Sequence, residues 1–490
     1  MPHWFYIVLV FVFGSCIGSF LNVVVWRLPR GKSLLWPPSA CPKCGHQLGA
    51  RDNIPVFGWV FLGGKCRYCR APVSVRYPII EAITGLLFVV YYVAFFVYGL
   101  GPSLTTYDSW GGPEHMVLRA IEQDWGIYVL SVVLVSMLLA ASLIDAELYI
   151  IPIELPWTVA VVAFVGYALI ASPRQPGALM AGPVGGAFAA GGAIGLLIAN
   201  VLLWLKVLPR SFPQGEPILE WERKEMEKTL AEEKKLKEEG KDAKVFEEPE
   251  KASASPVLIG VVGVVGLVGL GWLLWMLTQN AAMAIAVASV VGLWFAAHVG
   301  IGAKISEELQ EQEELPPVAT KGEIRRQMLI EVGFALIPIV LALGAAGCAL
   351  YVPSLRIWWG EMIGQNAWLS GLLGSVLGAL VAGGAIWVTR ALATLALGRV
   401  AMGQGDTHLM IGIGAVLGAG PSVLVFFIAP FAGLAMGLYR WVSKGAREMP
   451  YGPYLSLAAA VVILLYRYVA DYFAPSLAVI GDMLRQWMGG

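Results

Sequence analysis

The sequence has 490 residues, of which 58% are hydrophobic and 14% are charged. Soluble globular proteins are roughly 45–50% apolar and about 25% charged. This composition therefore excludes an ordinary soluble enzyme, and it also excludes a disordered chain, which would be far less hydrophobic. The 34 basic and 34 acidic residues cancel, so net charge gives no argument for a nucleic-acid partner.

Long apolar segments recur along the chain. A helix needs about 20 mainly apolar residues to cross a bilayer, because each unpaired backbone group in lipid costs several kcal/mol. This criterion predicts an all-α polytopic membrane protein with about twelve transmembrane helices. The first span lacks the basic leading region and small-residue cleavage site of a signal peptide, so we expect it to be retained. The spans are 4–26, 78–99, 126–144, 155–172, 182–205, 256–278, 280–302, 328–351, 367–397, 408–420, 421–441 and 454–472, of which the short, Gly-rich 408–420 is the weakest.

The hydrophilic segments set the predicted domains. These are a first transmembrane helix (1–26), a cysteine domain (27–77), a membrane core (78–172), a block with additional spans (173–366) and a second membrane core (367–490). Within the block, residues 206–255 contain a Glu/Lys run with the i,i+4 spacing of a solvated helix. We interpret this run as a spacer or docking helix rather than a second catalytic site, and a transporter-like bundle in the block stays open.

Loop charges predict the orientation. The 27–77 loop is basic, with Asp52 as its only acid, whereas the 100–125 loop is acidic. Basic loops stay in the cytoplasm, so we expect 27–77 to be cytoplasmic and both chain ends to lie outside. Counting spans then puts Asp145 and Asp406 on the cytoplasmic side.

Four of the six cysteines form two CxxC pairs, Cys41-Pro-Lys-Cys44 and Cys66-Arg-Tyr-Cys69. Two such turns provide the four thiolates of a closed, tetrahedral zinc site, which would hold together a small module without a core of its own. Two disulfides are the alternative, and cytoplasmic placement disfavours them. The nearby His46 is not needed as a ligand. Cys16 and Cys348 lie in apolar spans and are predicted to be packing residues.

Two acidic residues stand at the ends of spans, where charge is costly and marks functional candidates. Asp145 ends the third span, and Asp406 follows the ninth in Gly403-Gln-Gly405-Asp406. Two close carboxylates share a proton, so one can activate water while the other polarises a peptide carbonyl, as in aspartic peptidases. Gly403 and Gly405 would let the backbone turn freely and let a substrate strand approach.

Each aspartate alone also fits a helix cap or an interfacial charge, and it is their predicted placement on one side that favours catalysis. Glu147 and Glu154 are near Asp145 and compete for its role. His408 could tune Asp406, but a single histidine at a helix start is more often a surface or capping residue.

Several motifs together resemble the bacterial prepilin peptidases, the type IV leader peptidases with a Gly-x-Gly-Asp active site. They occur in the family's order: Gly18-Ser-Phe-Leu-Asn22 through Pro29, the two CxxC pairs flanking Arg51-Asp-Asn-Ile-Pro55, Ser74 through Glu81, Asp145 with Pro152, Gly403 through Asp406 with Leu409, and Pro450-Tyr-Gly-Pro453.

The resemblance implies that Asp145 and Asp406 are the catalytic pair and that Cys41, Cys44, Cys66 and Cys69 form the family's zinc-type module. It implies an endopeptidase of the bacterial inner membrane that cleaves the leader of type IV prepilins and pseudopilins at the cytoplasmic face. It also implies N-methylation of the new amino terminus with S-adenosylmethionine, for which the sequence indicates no binding residues.

The sequence departs from the family in the extra block 173–366 and in two residues, Glu147 and His408, where Asp and Lys are common in the family. A non-enzymatic membrane transporter or assembly scaffold with a zinc module is the alternative. An archaeal-type preflagellin peptidase fits less well, because such enzymes lack the cysteine domain. The basic 27–77 loop would not attract a positive leader, so Glu147 and Glu154 are the candidates for leader contact.

Overall fold

The structure is a computed structural model that describes residues 2–97, 113–148, 150–170, 179, 181–213, 215–221, 223–224, 317–444 and 451–464. The predicted spans 256–278 and 280–302 lie outside these residues, as does most of the Glu/Lys run.

The described residues are mostly helical and contain no β-strands, only isolated bridges. The helical fold class is therefore confirmed. The helices are α1 (His3–Arg27), α2 (Phe57–Phe61), α3 (Arg76–Phe96), α4 (Pro113–Leu148), α5 (Glu154–Ile170), α6 (Pro183–Trp204), α7 (Lys321–Tyr351), α8 (Pro353–Gln365), α9 (Ala367–Leu397), α10 (Gln404–Leu417), α11 (Ala419–Lys444) and α12 (Gly452–Leu464), with a 3₁₀ turn at Leu28–Arg30.

Six helical segments in the described part are long and apolar enough to cross a membrane. Shorter apolar helices occur at Glu154–Ile170, Ala419–Phe431 and Gly452–Ile463. The total of about twelve spans stays a prediction. The six segments are His3–Arg30, Arg76–Phe96, Asp124–Ala146, Pro183–Trp204, Lys321–Tyr351 and Ala367–Leu397.

Helix boundaries differ from the predicted ones mainly where helices continue into polar sequence. The span predicted at 367–397 coincides with α9. In contrast, α4 begins at Pro113, inside the expected 100–125 loop, and α8 occupies most of the expected 352–366 loop. Hydropathy detects only the apolar part of a helix, because polar side chains are compatible with helix once the chain leaves the bilayer.

The helix α9 is surrounded by α5, α6, α10 and α11, and α10 also packs against α4 and α12. The pairs α1–α3 and α6–α7 pack along much of their lengths. One large apolar cluster includes Leu21, Tyr91, Ile144, Ile386 and Met410, and so joins residues from both predicted membrane cores.

Glycine lets α9 and α10 meet backbone to backbone. A β-carbon added at Gly378 would collide with the carbonyl oxygen of Gly414, and one added at Gly414 would collide with that of Gly378. Small residues at helix interfaces bring helices close in lipid, where the hydrophobic effect does not drive association. This contact fixes the position of α10 against α9.

The cysteines Cys16 and Cys348 are exposed on α1 and α7, so their predicted packing role is wrong. Both helices carry apolar residues on their outward faces too, including Phe13 and Leu343. A helix facing lipid needs no polar outer face, and an apolar sequence therefore does not reveal which side is packed.

We expect Gly378→Ala to destabilise the protein by roughly 1–3 kcal/mol, because the new methyl group must push α9 away from α10. The control is Gly384→Ala in the same helix, where an added β-carbon meets nothing within 4 Å. It should be neutral or stabilising by up to about 1 kcal/mol, since alanine is the better helix former. Thermal unfolding in detergent measures both, and equal midpoints for the two variants would contradict the close contact.

Candidate active site and metal centre

The two CxxC segments adopt the same local turn. The backbone N–H of Gly45 donates to the carbonyl oxygen of Cys41 at 2.9 Å, and that of Arg70 donates to Cys66 at 3.0 Å. Gly45 and Arg70 both have positive φ angles, 67° and 57°. Each turn thus brings its two thiols to one side. In the second turn the left-handed position is occupied by Arg70, a non-glycine residue, for which this backbone conformation is strained.

The two turns face each other and bring four sulfur atoms together. The sulfurs of Cys41, Cys44, Cys66 and Cys69 all lie within 4.8 Å of one another, and those of Cys41 and Cys69 are 3.8 Å apart. This separation is far too long for a disulfide. It fits a tetrahedral ion with metal–sulfur bonds of about 2.3 Å, whose ligands lie roughly 3.8 Å apart. The four cysteines can therefore bind a metal ion.

Backbone hydrogen bonds prepare one of these thiols for metal binding. The N–H groups of Cys69 and Tyr68 point to the sulfur of Cys66 and lower the pKa of its thiol to about 7. Metal ligation requires the thiolate, so this arrangement favours the binding form of Cys66. His46 is not in the sulfur group; its ring lies against that of Tyr68, with centroids 3.5 Å apart and planes tilted by 34°.

Two acidic residues of the family-like motifs, Asp52 and Glu81, hold the cysteine module in place. Arg67 Nε donates to Asp52 Oδ1 at 2.6 Å, and this contact lowers the pKa of the Asp52 carboxyl. The Val56 N–H donates to Glu81 Oε2 at 2.7 Å, which ties the module to α3. These motif residues thus support the architecture of the module.

Asp145 lies in the last turn of α4 and is 5% exposed. Its Oδ2 accepts a hydrogen bond from the Gly452 N–H at 3.1 Å. A β-carbon added at Gly452 would lie 2.7 Å from that oxygen and 2.8 Å from Ile151 Cδ1. Gly452 belongs to the Pro450–Pro453 motif near the end of the sequence. This motif therefore supplies a backbone hydrogen-bond donor to Asp145.

Asp406 is the third residue of α10 and is buried, in the first turn, where the helix dipole favours a carboxylate. Gly403 precedes the helix with an ordinary extended backbone (φ −68°, ψ 153°). The backbone at Gly403 is thus one that any residue can adopt, and the predicted requirement for glycine flexibility is not seen there. At Gly405 the reason is close approach, because an added β-carbon would lie 3.0 Å from Ile151 Cβ.

The two aspartates come together around Ile151. This side chain is next to both Gly405, beside Asp406, and Gly452, which donates to Asp145. The carboxylates of Asp145 and Asp406 are close enough for their charges to interact. Residues from α4, α10 and α12 thus converge around Ile151, with two buried acids at the site.

A buried ionic cluster beside Asp406 was not predicted. Arg390 of α9 is 1% exposed and binds the carboxylates of Glu216 and Glu331. Glu216 is also within electrostatic range of Asp406. The sequence contained a signal, since Arg390 is a charge inside the predicted span 367–397, but the partners are distant in sequence.

His408 is partly buried. Its Nδ1 is buried and has no hydrogen-bond partner among the described residues, and its ring lies 6.2 Å from that of Trp157. A capping hydrogen bond from Nδ1 is therefore not seen. Of the two competing acids, Glu154 begins α5 and is partly buried, whereas the side chain of Glu147 lies outside the described residues.

Comparison with known proteins supports the resemblance. Residues 12–95 match the family model described as Bacterial Peptidase A24 N-terminal domain. The chain is 50% identical over 91 residues to the prepilin leader peptidase/N-methyltransferase of Myxococcus xanthus (strain DK1622), covering 18% of this chain and 27% of that protein. The predicted resemblance to prepilin peptidases is confirmed over this region.

Other relatives carry the same name. The chain is 32% identical over 176 residues to the protein from Aeromonas hydrophila, covering 31% of this chain and 51% of that one. It is 46% identical over 86 residues to the protein from Klebsiella pneumoniae, covering 16% of this chain and 38% of that one. The chain thus spans between about a quarter and a half of the length of these curated relatives. No solved structure matches it.

We expect the purified protein to carry one metal ion per chain, held by the four cysteines. Cys66→Ser should lose the ion and destabilise the module, because three sulfurs leave a tetrahedral site incomplete. Cys16→Ser is the control, since Cys16 is exposed on α1 and is not one of the four sulfurs that lie together. Elemental analysis by mass spectrometry measures the metal, and equal metal content in both variants would contradict the site.

Proposed function

We propose that this protein is an aspartic endopeptidase that cleaves the leader of type IV prepilins or pseudopilins, with Asp145 and Asp406 as the catalytic pair. The observation that carries the proposal is the convergence of these two buried acids, from distant parts of the chain, around Ile151. The relatives' name, prepilin leader peptidase/N-methyltransferase, supports the substrate class.

The chemistry follows from two close acids of which one is ionised and one protonated. The ionised carboxylate takes a proton from water as the water oxygen attacks the carbonyl carbon of the peptide. The protonated carboxyl donates a hydrogen bond to the carbonyl oxygen and stabilises its developing charge. Proton return to the leaving nitrogen then breaks the C–N bond. The Gly452 N–H, which binds Asp145, would hold that carboxylate in orientation during the cycle.

We further propose a multi-pass protein of the bacterial inner membrane, with the cysteine module and the aspartate pair at the cytoplasmic face. The basic loop 27–77 and the six apolar segments support this orientation. The prepilin would enter as an apolar helix from lipid with its basic leader near the cytoplasmic surface. In this proposal, the cysteine domain is 27–77, the block with additional spans is 173–366 and the second membrane core is 367–490.

For the metal centre we propose structural zinc, since four thiolates in a closed site suit this ion and leave no open position for a substrate. Zinc would supply cohesion to a module that has few buried apolar residues. N-methylation of the new amino terminus, with S-adenosylmethionine as donor, is proposed from the relatives' name alone. Within the described residues we identify no donor site and assign no residue to it.

Neutralising either aspartate tests the peptidase. Asp145→Asn and Asp406→Asn should each reduce leader cleavage by about 10²–10⁴-fold, because each removes an acid or base from proton transfer. Glu361→Gln is the control, an exposed carboxylate on α8. Mass spectrometry of a prepilin incubated with detergent-solubilised protein reports both cleavage and any added methyl group. Full cleavage by both asparagine variants would overturn the aspartate pair as the catalytic groups, whereas no cleavage by the wild-type protein would favour the non-enzymatic transporter or scaffold.

Charge reversal tests leader recognition. Glu147→Lys with Glu154→Lys should raise KM for a prepilin with a basic leader by about tenfold, because two attractive charges become repulsive. The effect should be smaller at high salt, which screens exposed charges. Glu361→Lys is the control for a change of the same sign elsewhere. An unchanged KM in the double variant would remove these acids from leader contact.

A further inference from the structure

Arg390 links two parts of the chain through a buried guanidinium. Its Nε donates to the Met402 carbonyl oxygen at 2.9 Å, its Nη2 binds Glu216 Oε1 at 3.0 Å, and its Nη1 binds Glu331 Oε1. A charge taken out of water at this depth is strongly unfavourable unless it is paired and hydrogen-bonded. Arg390 therefore depends on both carboxylates.

Both carboxylates belong to the block 173–366, which departs from the family pattern. Glu216 follows α6, and Glu331 lies in α7, where it also accepts from Trp387 Nε1 at 2.9 Å. Arg325 of α7 adds a further contact, donating to the carbonyl oxygens of Leu395 and Ala396 at the end of α9. The block is thus bonded to the end of α9 at several points.

The other end of this network is the turn that carries Asp406. Met402, which accepts from Arg390, lies in the connection between α9 and α10. Glu216 therefore reaches the connection through Arg390, at the residue that precedes Gly403.

Apolar contacts reinforce the same junction. The ring of Phe212 lies 5.7 Å from the Arg390 guanidinium carbon, and Phe212 forms a small buried cluster with Met328 and Ala391. Val400 of the connection packs against this cluster. Phe212 and Glu216 therefore attach to this junction by packing and by charge, respectively.

We propose that Glu216 is a positioning residue for Asp406, and that it holds the 399–404 turn in place through Arg390. The block 173–366 is then a structural part of the active site rather than a separate attachment. This inference rests on the proposed function of Asp406, but the restraint on the turn can be measured without activity.

The test uses full-length protein in detergent with Glu216→Ala and Glu216→Gln. The amide oxygen of glutamine can accept the same hydrogen bonds, whereas alanine accepts none. The control is Glu220→Ala in the same segment, whose carboxylate is exposed and pairs with Lys224 at 3.1 Å. Three readouts are compared: the rate of trypsin cleavage after the exposed Arg399, kcat and KM on a prepilin, and the thermal midpoint.

We expect Glu216→Ala to raise cleavage after Arg399 and to lower kcat, each by about tenfold, the loss associated with a hydrogen bond to a charged group. KM should change less than about twofold, because a positioning residue does not contact the substrate. Glu220→Ala should stay near wild type in all three readouts, and Glu216→Gln should keep most of kcat and of the resistance to cleavage after Arg399, because its amide oxygen still accepts from Arg390. The thermal midpoint of Glu216→Ala should fall below that of Glu220→Ala, because Arg390 loses one of its two carboxylates.

Unchanged trypsin cleavage and kcat in Glu216→Ala would overturn the inference. Equal losses of kcat and equal cleavage after Arg399 in the alanine and glutamine variants would also overturn it, because the effect would then follow the lost buried charge rather than the hydrogen bond that holds the turn. The proposed function is tested separately: if Asp406→Asn is inactive while Glu216→Ala is normal, only the positioning role fails. If Asp406→Asn stays active, the peptidase proposal fails, and cleavage after Arg399 still decides the restraint on the turn.

Discussion

Backbone contact at glycine determines where α10 lies, and α10 carries Asp406 at its start. Gly378 and Gly414 let α9 and α10 touch, and Gly412 brings α10 close to the carbonyl oxygen of Pro156 in α5. Because α5 follows Asp145 after a short connection, these close contacts also bring the two aspartates near each other. A single added methyl group at such a crossing would shift a helix, and the geometry of the acid pair would shift with it.

A second constraint is the need to satisfy buried polar groups inside an apolar bundle. Asp145 accepts from the Gly452 N–H, and Arg390 is matched by two carboxylates and a carbonyl oxygen. Buried hydroxyls likewise find main-chain acceptors, as Tyr167 does at Val416 and Ser375 at Ala415. The polar contacts therefore select particular helix pairs in a protein whose apolar surfaces are otherwise interchangeable.

The sequence allowed prediction of features that are encoded locally. Apolar length alone located α9 to the residue, and CxxC spacing identified the four sulfurs that lie together. It did not reveal α8 or the early start of α4, because hydropathy is blind to helices in polar sequence. Exposed Cys16 was also misjudged, since apolar residues occupy both the packed and the outward sides of a membrane helix.

The candidate site was predicted in part. Asp145 and Asp406 were selected from their places at span ends, and their roles remain proposals. The Gly452 donor and the Glu216 carboxylate were not found, because both act across large sequence separations that periodicity cannot detect. Arg390 is an ionisable residue within a predicted span, and the criterion that selects the two aspartates therefore selects it as well.

The chain on either side of residues 225–316 is joined by backbone pairing. The Ile218 N–H donates to the Pro317 carbonyl oxygen at 3.0 Å, and the Ala319 N–H donates to Ile218 at 3.2 Å. The residues before and after 225–316 are thus hydrogen-bonded to each other next to Glu216, and we call this pairing of Ile218 with Pro317 and Ala319 the clasp. Evolution can lengthen, shorten or exchange whatever lies between those two points at a modest entropic cost, while the spacing of the clasped ends stays the same. This feature makes the position a natural graft point for new sequence.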